Sequence, residues 1–122
     1  MESFKKFLLG FKYASEGIFY VWMTQRNMRV HFSFVWIAVA MNGWLHLPIE
    51  QWALVFLTIA LVLTAEMANT AMEAILDFVS PDRDPRIKIA KDVAAGSVLV
   101  ASIFAVCVGV CLWGPPLWQI CW

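Results

Sequence analysis

Three long apolar stretches dominate the chain, at about residues 30–47, 49–79 and 89–113. Each is long enough to cross a hydrocarbon core of about 30 Å, which takes roughly 20 residues of helix. Ahead of them, Phe4, Phe7, Leu8, Phe11, Ile18 and Trp22 recur at helical spacing, with Lys5, Lys6, Lys12 and Glu16 around the rest of the turn. That pattern predicts an amphipathic surface helix over residues 1–25. Gly43 suits a helix stop and Pro48 the first turn of the next helix. Pro81 breaks the second long helix, and Asp84 before Pro85 is a helix N-cap with proline at N1. Ala90, Ala94, Ser97, Ala101 and Ala105 form a small-residue stripe on the third stretch, a surface for close helix packing. The fold expected is all-α: one domain over residues 1–122, with three transmembrane helices and an N-terminal amphipathic surface helix.

Composition strengthens the membrane reading, since 61% of residues are hydrophobic and only 15% charged, outside the soluble range. The early charges leave no removable signal peptide in view, so insertion without cleavage is expected. The net charge of zero conceals an asymmetry. Lys5, Lys6, Lys12, Arg26 and Arg29 precede the first span, and Arg83, Arg86, Lys88 and Lys91 lie between the second and third. The positive-inside rule then places the N-terminus and the second loop in the cytoplasm and the first loop and the tail from Gly114 to Trp122 outside. Trp44, Trp52, Trp113, Trp118 and Trp122 gather at the outer face as an aromatic belt, so base stacking and a nucleic-acid partner are not expected. Cys107, Cys111 and Cys121 show no metal or redox spacing and read as small packing residues.

The candidate chemistry lies on the second span. With Glu66 at zero and about 100° per residue, Asn69 falls near −60°, Thr70 near +40°, Glu73 near −20° and Asp77 near +20°. Ionisable groups inside a bilayer cost several kcal/mol unless they face a bundle interior or a water-filled site, which marks this stripe as functional. At the cytoplasmic ends of the second and third spans it joins Lys91 and Asp92. A buried ion-pair network would satisfy such groups without catalysis. Proton or ion translocation is a second possibility, opposed by an outer half of the second span in which Thr58 alone is polar. The third is phosphoryl transfer to a lipid alcohol, with carboxylates and phosphates holding a hard divalent cation, a lysine neutralising charge and a carboxylate taking the hydroxyl proton. Glu66 and Glu73 lie about 10 Å apart along the axis, which suits one to the headgroup and the other to the nucleotide. Neither a Walker loop nor a Gly-rich kinase loop is present.

The run from Glu66 through Asn69, Thr70, Ala71 and Glu73 to Asp77, followed by Ala90-Lys91-Asp92, resembles the E-x-x-N-[ST]-A-x-E-x-x-x-D and A-K-D signature of the small prokaryotic integral-membrane diacylglycerol kinase and undecaprenol kinase family. The similarity extends over essentially the whole chain. The segment from Thr24 to His31 looks most like the undecaprenol kinase branch. The resemblance implies a homotrimeric lipid kinase that uses ATP and Mg2+ at the cytoplasmic face, with sites shared between neighbouring subunits. Undecaprenol is its favoured substrate, with diacylglycerol the alternative. Glu66 would be the catalytic base and Glu73 the ligand of the nucleotide's magnesium. Asn69 and Asp77 would support the site, and Lys91, Asp92, Tyr13 and Lys6 would contact nucleotide. Gln25 stands where many members place a second metal-binding glutamate. Its neutral amide is a weaker ligand for a hard cation and would be a nucleotide-side contact, with Glu73 sufficing or Glu16 compensating. His31 falls near the site and reads as a packing or interfacial residue.

Overall fold

A computed structural model describes residues 1–122 as four helices: α1 (Glu2–Thr24), α2 (Arg26–Trp44), α3 (Ile49–Val79) and α4 (Pro85–Cys121). The all-α class stands, and α3 has the expected limits. Gln25 is the single extended residue between α1 and α2, with φ −103° and ψ 114°. Arg29 Nη1 reaches back over this elbow to the Met23 carbonyl at 3.4 Å, satisfying one of the carbonyls a helix end leaves open. Trp22 packs edge-on against Phe32, ring centroids 4.9 Å apart.

The stop of α2 differs from expectation. Gly43 stays helical, and the residue that turns left-handed is His46, at φ 51°. The His46 N–H bonds the Gly43 carbonyl and the Leu47 N–H the Asn42 carbonyl, each at 3.2 Å, which is the Schellman pairing. That pairing needs its left-handed residue two positions past Trp44, so His46 adopts the conformation and Gly43 does not. Pro48 acts as the N-cap of α3. The α3–α4 joint follows the sequence: Asp84 caps α4, its Oδ1 accepting the Arg86 N–H at 2.8 Å, with Pro85 at N1.

The fourth helix runs eight residues beyond the expected span end at Trp113 and includes Pro115 and Pro116. Those prolines remove the N–H groups that would meet the Cys111 and Leu112 carbonyls. The helix continues beyond them because the following turn keeps its bonding, Trp122 N–H to the Trp118 carbonyl at 3.1 Å, with the two indoles 6.0 Å apart.

The most extensive packing is α3 along α4. On α4 the seam buries Val98, Ala101 and Gly109, whereas Ser97, expected in the small-residue stripe, is exposed and bonds the Ala94 carbonyl at 2.6 Å. A Cβ at Gly109 would sit 3.2 Å from Trp113 Cζ3, so glycine makes room for the indole. Trp113 Nε1 in turn donates to Asn42 Oδ1 at 2.8 Å and ties α2 to α4.

Only 11 of the 122 residues are buried, so the chain alone has no sizeable core and carries its apolar side chains outward. Cys107, Cys111 and Cys121 are free thiols on the exposed surface of α4. Two helices, α3 and α4, are long and apolar enough to cross a membrane. The 19-residue α2 falls short of that standard because Arg26, Asn27, Arg29 and His31 occupy its first turns. Long apolar helices with outward-facing apolar surfaces are those of a membrane protein.

Candidate active site

The buried residues of α3 are Val55, Val62, Glu66, Asn69 and Thr70, spaced by seven, four, three and one. This is the period of a helix seam facing a packed neighbour. Glu66 therefore occupies the seam position that Val62 holds one turn earlier, and the packing that buries a valine buries the carboxylate to 1% exposure. Thr70, one turn on, spends its hydroxyl on the Glu66 carbonyl at 2.9 Å, leaving the carboxylate free.

A cleft of about 260 Å³ opens beside Glu66 among α2, α3 and α4. Asn27 and His31 of α2, Glu66 and Asn69 of α3 and Ser102 of α4 give it polar lining within otherwise apolar walls. His31 Nε2 lies 3.6 Å from Glu66 Oε2. That oxygen is buried and has no hydrogen-bond partner, and neither does Asn69 Oδ1. Buried polar atoms without partners cost about 1–3 kcal/mol each in general, so two unpartnered acceptors on residues that line one cleft favour a donor such as a hydroxyl there.

The neighbouring acids separate into two groups. Asn69 Nδ2 donates to Glu73 Oε1 at 3.3 Å, which joins Glu73 to the cleft. Asp77 instead pairs with Lys91, linking the inner ends of α3 and α4. Asp92, about 100° further round α4, is exposed and pairs with Lys88 at 2.5 Å on its own helix, away from the group expected. Tyr13 and Lys6 are exposed on α1 and do not line the cleft; Lys6 lies 3.7 Å from Glu2. Gln25 is half-buried at the elbow, its amide 3.4 Å from Thr24 Oγ1. Glu16 pairs with Lys12 at 3.9 Å. Nowhere do three His, Cys, Asp or Glu side chains converge as a metal cage.

His31 is the residue whose place the sequence reading undervalued. The available signal was its spacing of four from Asn27, a polar pair on one face of α2 just before the helix turns apolar. Ser102 gave no such signal, being one small residue among many on α4.

The family model for prokaryotic diacylglycerol kinase matches residues 12–113. The chain belongs to this family. The chain is similar to the diacylglycerol kinase of Synechocystis sp., 46% identical over 112 residues that make up 90% of this chain and 63% of that protein. The undecaprenol kinase of Bacillus subtilis is 34% identical over 92% of this chain and 91% of its own length. The diacylglycerol kinase of Escherichia coli is 29% identical over 77% of each chain. This chain thus spans less than two thirds of the Synechocystis relative. The prokaryotic diacylglycerol kinase match takes in the whole cleft, the Asp77–Lys91 pair and Tyr13, and excludes Lys6. The family and these relatives bear the names of lipid kinases.

Proposed function

We propose that the chain transfers the γ-phosphoryl group of ATP to the hydroxyl of a membrane lipid alcohol, with Glu66 as the catalytic base. One observation carries this reading: a carboxylate 1% exposed whose Oε2 lacks any donor and fronts a polar cleft in an apolar surround. A base so placed is unquenched by water and ready to accept a hydroxyl proton. The lipid oxygen attacks the γ-phosphorus, Glu66 takes the proton, and the bond to the β,γ-bridging oxygen breaks to release ADP. Catalysis of this kind is positioning and charge neutralisation, which small helices can supply without a Gly-rich loop.

Magnesium suits this donor set when it arrives with nucleotide, because it needs only one or two carboxylates beside phosphate oxygens and water. Glu73 would hold it, one oxygen steadied by Asn69 and the other uncommitted. Bound there, the ion would offset charge on the β- and γ-phosphates. Lys91, steadied by Asp77, would meet the nucleotide, and Asp92 would do so on leaving its pairing with Lys88; Gln25, Tyr13 and Lys6 would approach from α1 and its elbow.

The chain acts as one membrane-embedded domain with α2 as a third span, its N-terminus cytoplasmic and its C-terminus outside, an orientation supported by the distribution of lysine and arginine. It works as a homotrimer in the bacterial plasma membrane, a reading supported by the family and by the extent of apolar surface one copy leaves uncovered. Undecaprenol is the acceptor favoured by the segment from Thr24 to His31. Diacylglycerol is the second reading, favoured by 46% identity to a protein named for it. The test is Glu66→Gln in detergent micelles: lipid phosphorylation is lost while MgATP binding and melting temperature persist. Turnover equal to wild type removes Glu66 as the base.

A further inference from the structure

Every turnover on this mechanism leaves a proton on Glu66, and the same burial that protects the base obstructs the proton's departure. The carboxylate side chain is 2% exposed, so bulk water cannot clear it directly. On α3, Glu73 is engaged by Asn69 and Asp77 by Lys91, and the α4 wall of the cleft presents no ionisable group. The cation nearest along α2, Arg29, is turned back onto the Met23 carbonyl at the elbow, and the charged pairs of α1 lie on its exposed surface. One titratable side chain faces Glu66 within the cleft. It is His31, 3.6 Å away, itself 17% exposed and one turn from Asn27, an exposed residue of the same cleft.

We propose, resting on the lipid-kinase reading above, that His31 is a positioning residue that receives the lipid-derived proton from Glu66 and passes it to water at the Asn27 end of the cleft. The separation is just beyond hydrogen-bond reach, so a shift of about half an ångström by either side chain makes the contact. In the transfer the Glu66 O–H bond breaks and an Nε2–H bond forms, leaving a carboxylate ready for the next acceptor and an imidazolium. The imidazolium turns toward the open end and gives that proton to water, returning to neutral imidazole. One proton moves, with no other reactant. Imidazole suits the task because a ring nitrogen can accept a proton and later release it to water. The Asn27–His31–Glu66 series runs from exposed to half-buried to buried, in the direction the proton must travel in reverse.

The experiment compares wild type, His31→Gln and His31→Ala in micelles with saturating MgATP and lipid. Expected is a fall in kcat of at least about tenfold in both variants, with KM for ATP and for lipid within about twofold of wild type. Added imidazole should restore turnover to His31→Ala, for which the cleft has room, and leave wild type unchanged. A packing role for His31 would lower melting temperature without imidazole rescue. Should His31→Ala unfold, His31→Gln keeps the volume and a polar end, and added small basic buffers replace imidazole. Active wild type with unaltered kcat in the variants, or a loss that no base restores, overturns the relay alone. Absence of lipid phosphorylation by folded wild type overturns the lipid-kinase reading and the relay together.

Discussion

His31 Nε2 on α2 stands 3.6 Å from Glu66 Oε2 on α3, and it is the one ionisable neighbour of a carboxylate that the helix seam has removed from water. The relationship arises from two separate features of the chain. Glu66 takes a seam position on α3 that Val62 also follows, and His31 lies one turn inside the polar start of α2. Neither feature alone makes a site. Together they place a carboxylate and an imidazole in the lining of the same cleft.

Glu73 differs from Glu66 in being half-buried and already bonded by Asn69 at 3.3 Å. Removing its charge should weaken magnesium-dependent nucleotide engagement and leave the seam unaffected. In Glu73→Gln the magnesium concentration for half-maximal activity should rise by about tenfold or more. A magnesium titration identical to wild type would remove Glu73 as the metal ligand.

At the other end of the bundle, Asn42 is fully buried, and its amide oxygen depends on Trp113 Nε1 at 2.8 Å. Trp113→Phe keeps most of the ring and deletes the donor, leaving the oxygen unpaired at a cost of about 1–3 kcal/mol. Equilibrium unfolding in detergent should show that loss with lipid turnover unchanged at saturating substrate. Equal stability would mean that Asn42 finds another donor.

His46 holds the Schellman turn with a left-handed backbone. A β-branched residue tolerates that conformation worst and glycine best. Compared by equilibrium unfolding, His46→Gly should therefore be the most stable form, wild type intermediate and His46→Val the least stable. The His46→Val step should cost about 1–2 kcal/mol. Equal stability of the two variants would show that the turn does not hold.

The Asp84 carboxyl is held below its usual range, first by the Arg86 guanidinium and then by the Arg86 backbone N–H. A depressed folded-state pKa means the contribution is present above the unfolded value and lost as pH falls through the folded one. The first turn of α4 should therefore exchange its amides faster, relative to intrinsic rates, below the normal carboxylate range. Asp84→Asn keeps a capping oxygen and should lose this acid dependence; the same dependence in the variant would assign it elsewhere.

How much of this was legible in the sequence depended on whether the signal was local. The Asp84 cap needs only its neighbours Pro85 and Arg86, and the arc of Glu66, Asn69 and Glu73 needs only helical periodicity, so both could be read directly. The left-handed residue at His46 depends on where the preceding helix ends, and the glycine at position 43 drew attention to the wrong residue. Asp92 was grouped with Lys91 by adjacency, yet neighbours on a helix point about 100° apart, and the two aspartates of the pairs Asp77–Lys91 and Lys88–Asp92 take different partners. The helical continuation through Pro115 and Pro116 runs against local preference altogether. The His31–Glu66 approach is a contact between helices, which no single-helix pattern encodes.

The most direct measurement is transfer of labelled γ-phosphate from ATP by purified wild-type protein in mixed micelles at matched magnesium, with undecaprenol and diacylglycerol offered separately. The expected result is label in the lipid fraction, greater for undecaprenol, and none with Glu66→Gln. Label preferentially on diacylglycerol would keep the lipid-kinase mechanism and reverse the choice of acceptor. No label on either lipid, from protein that is folded and binds MgATP, would contradict the central claim and return the acidic stripe to a structural or ion-conducting role.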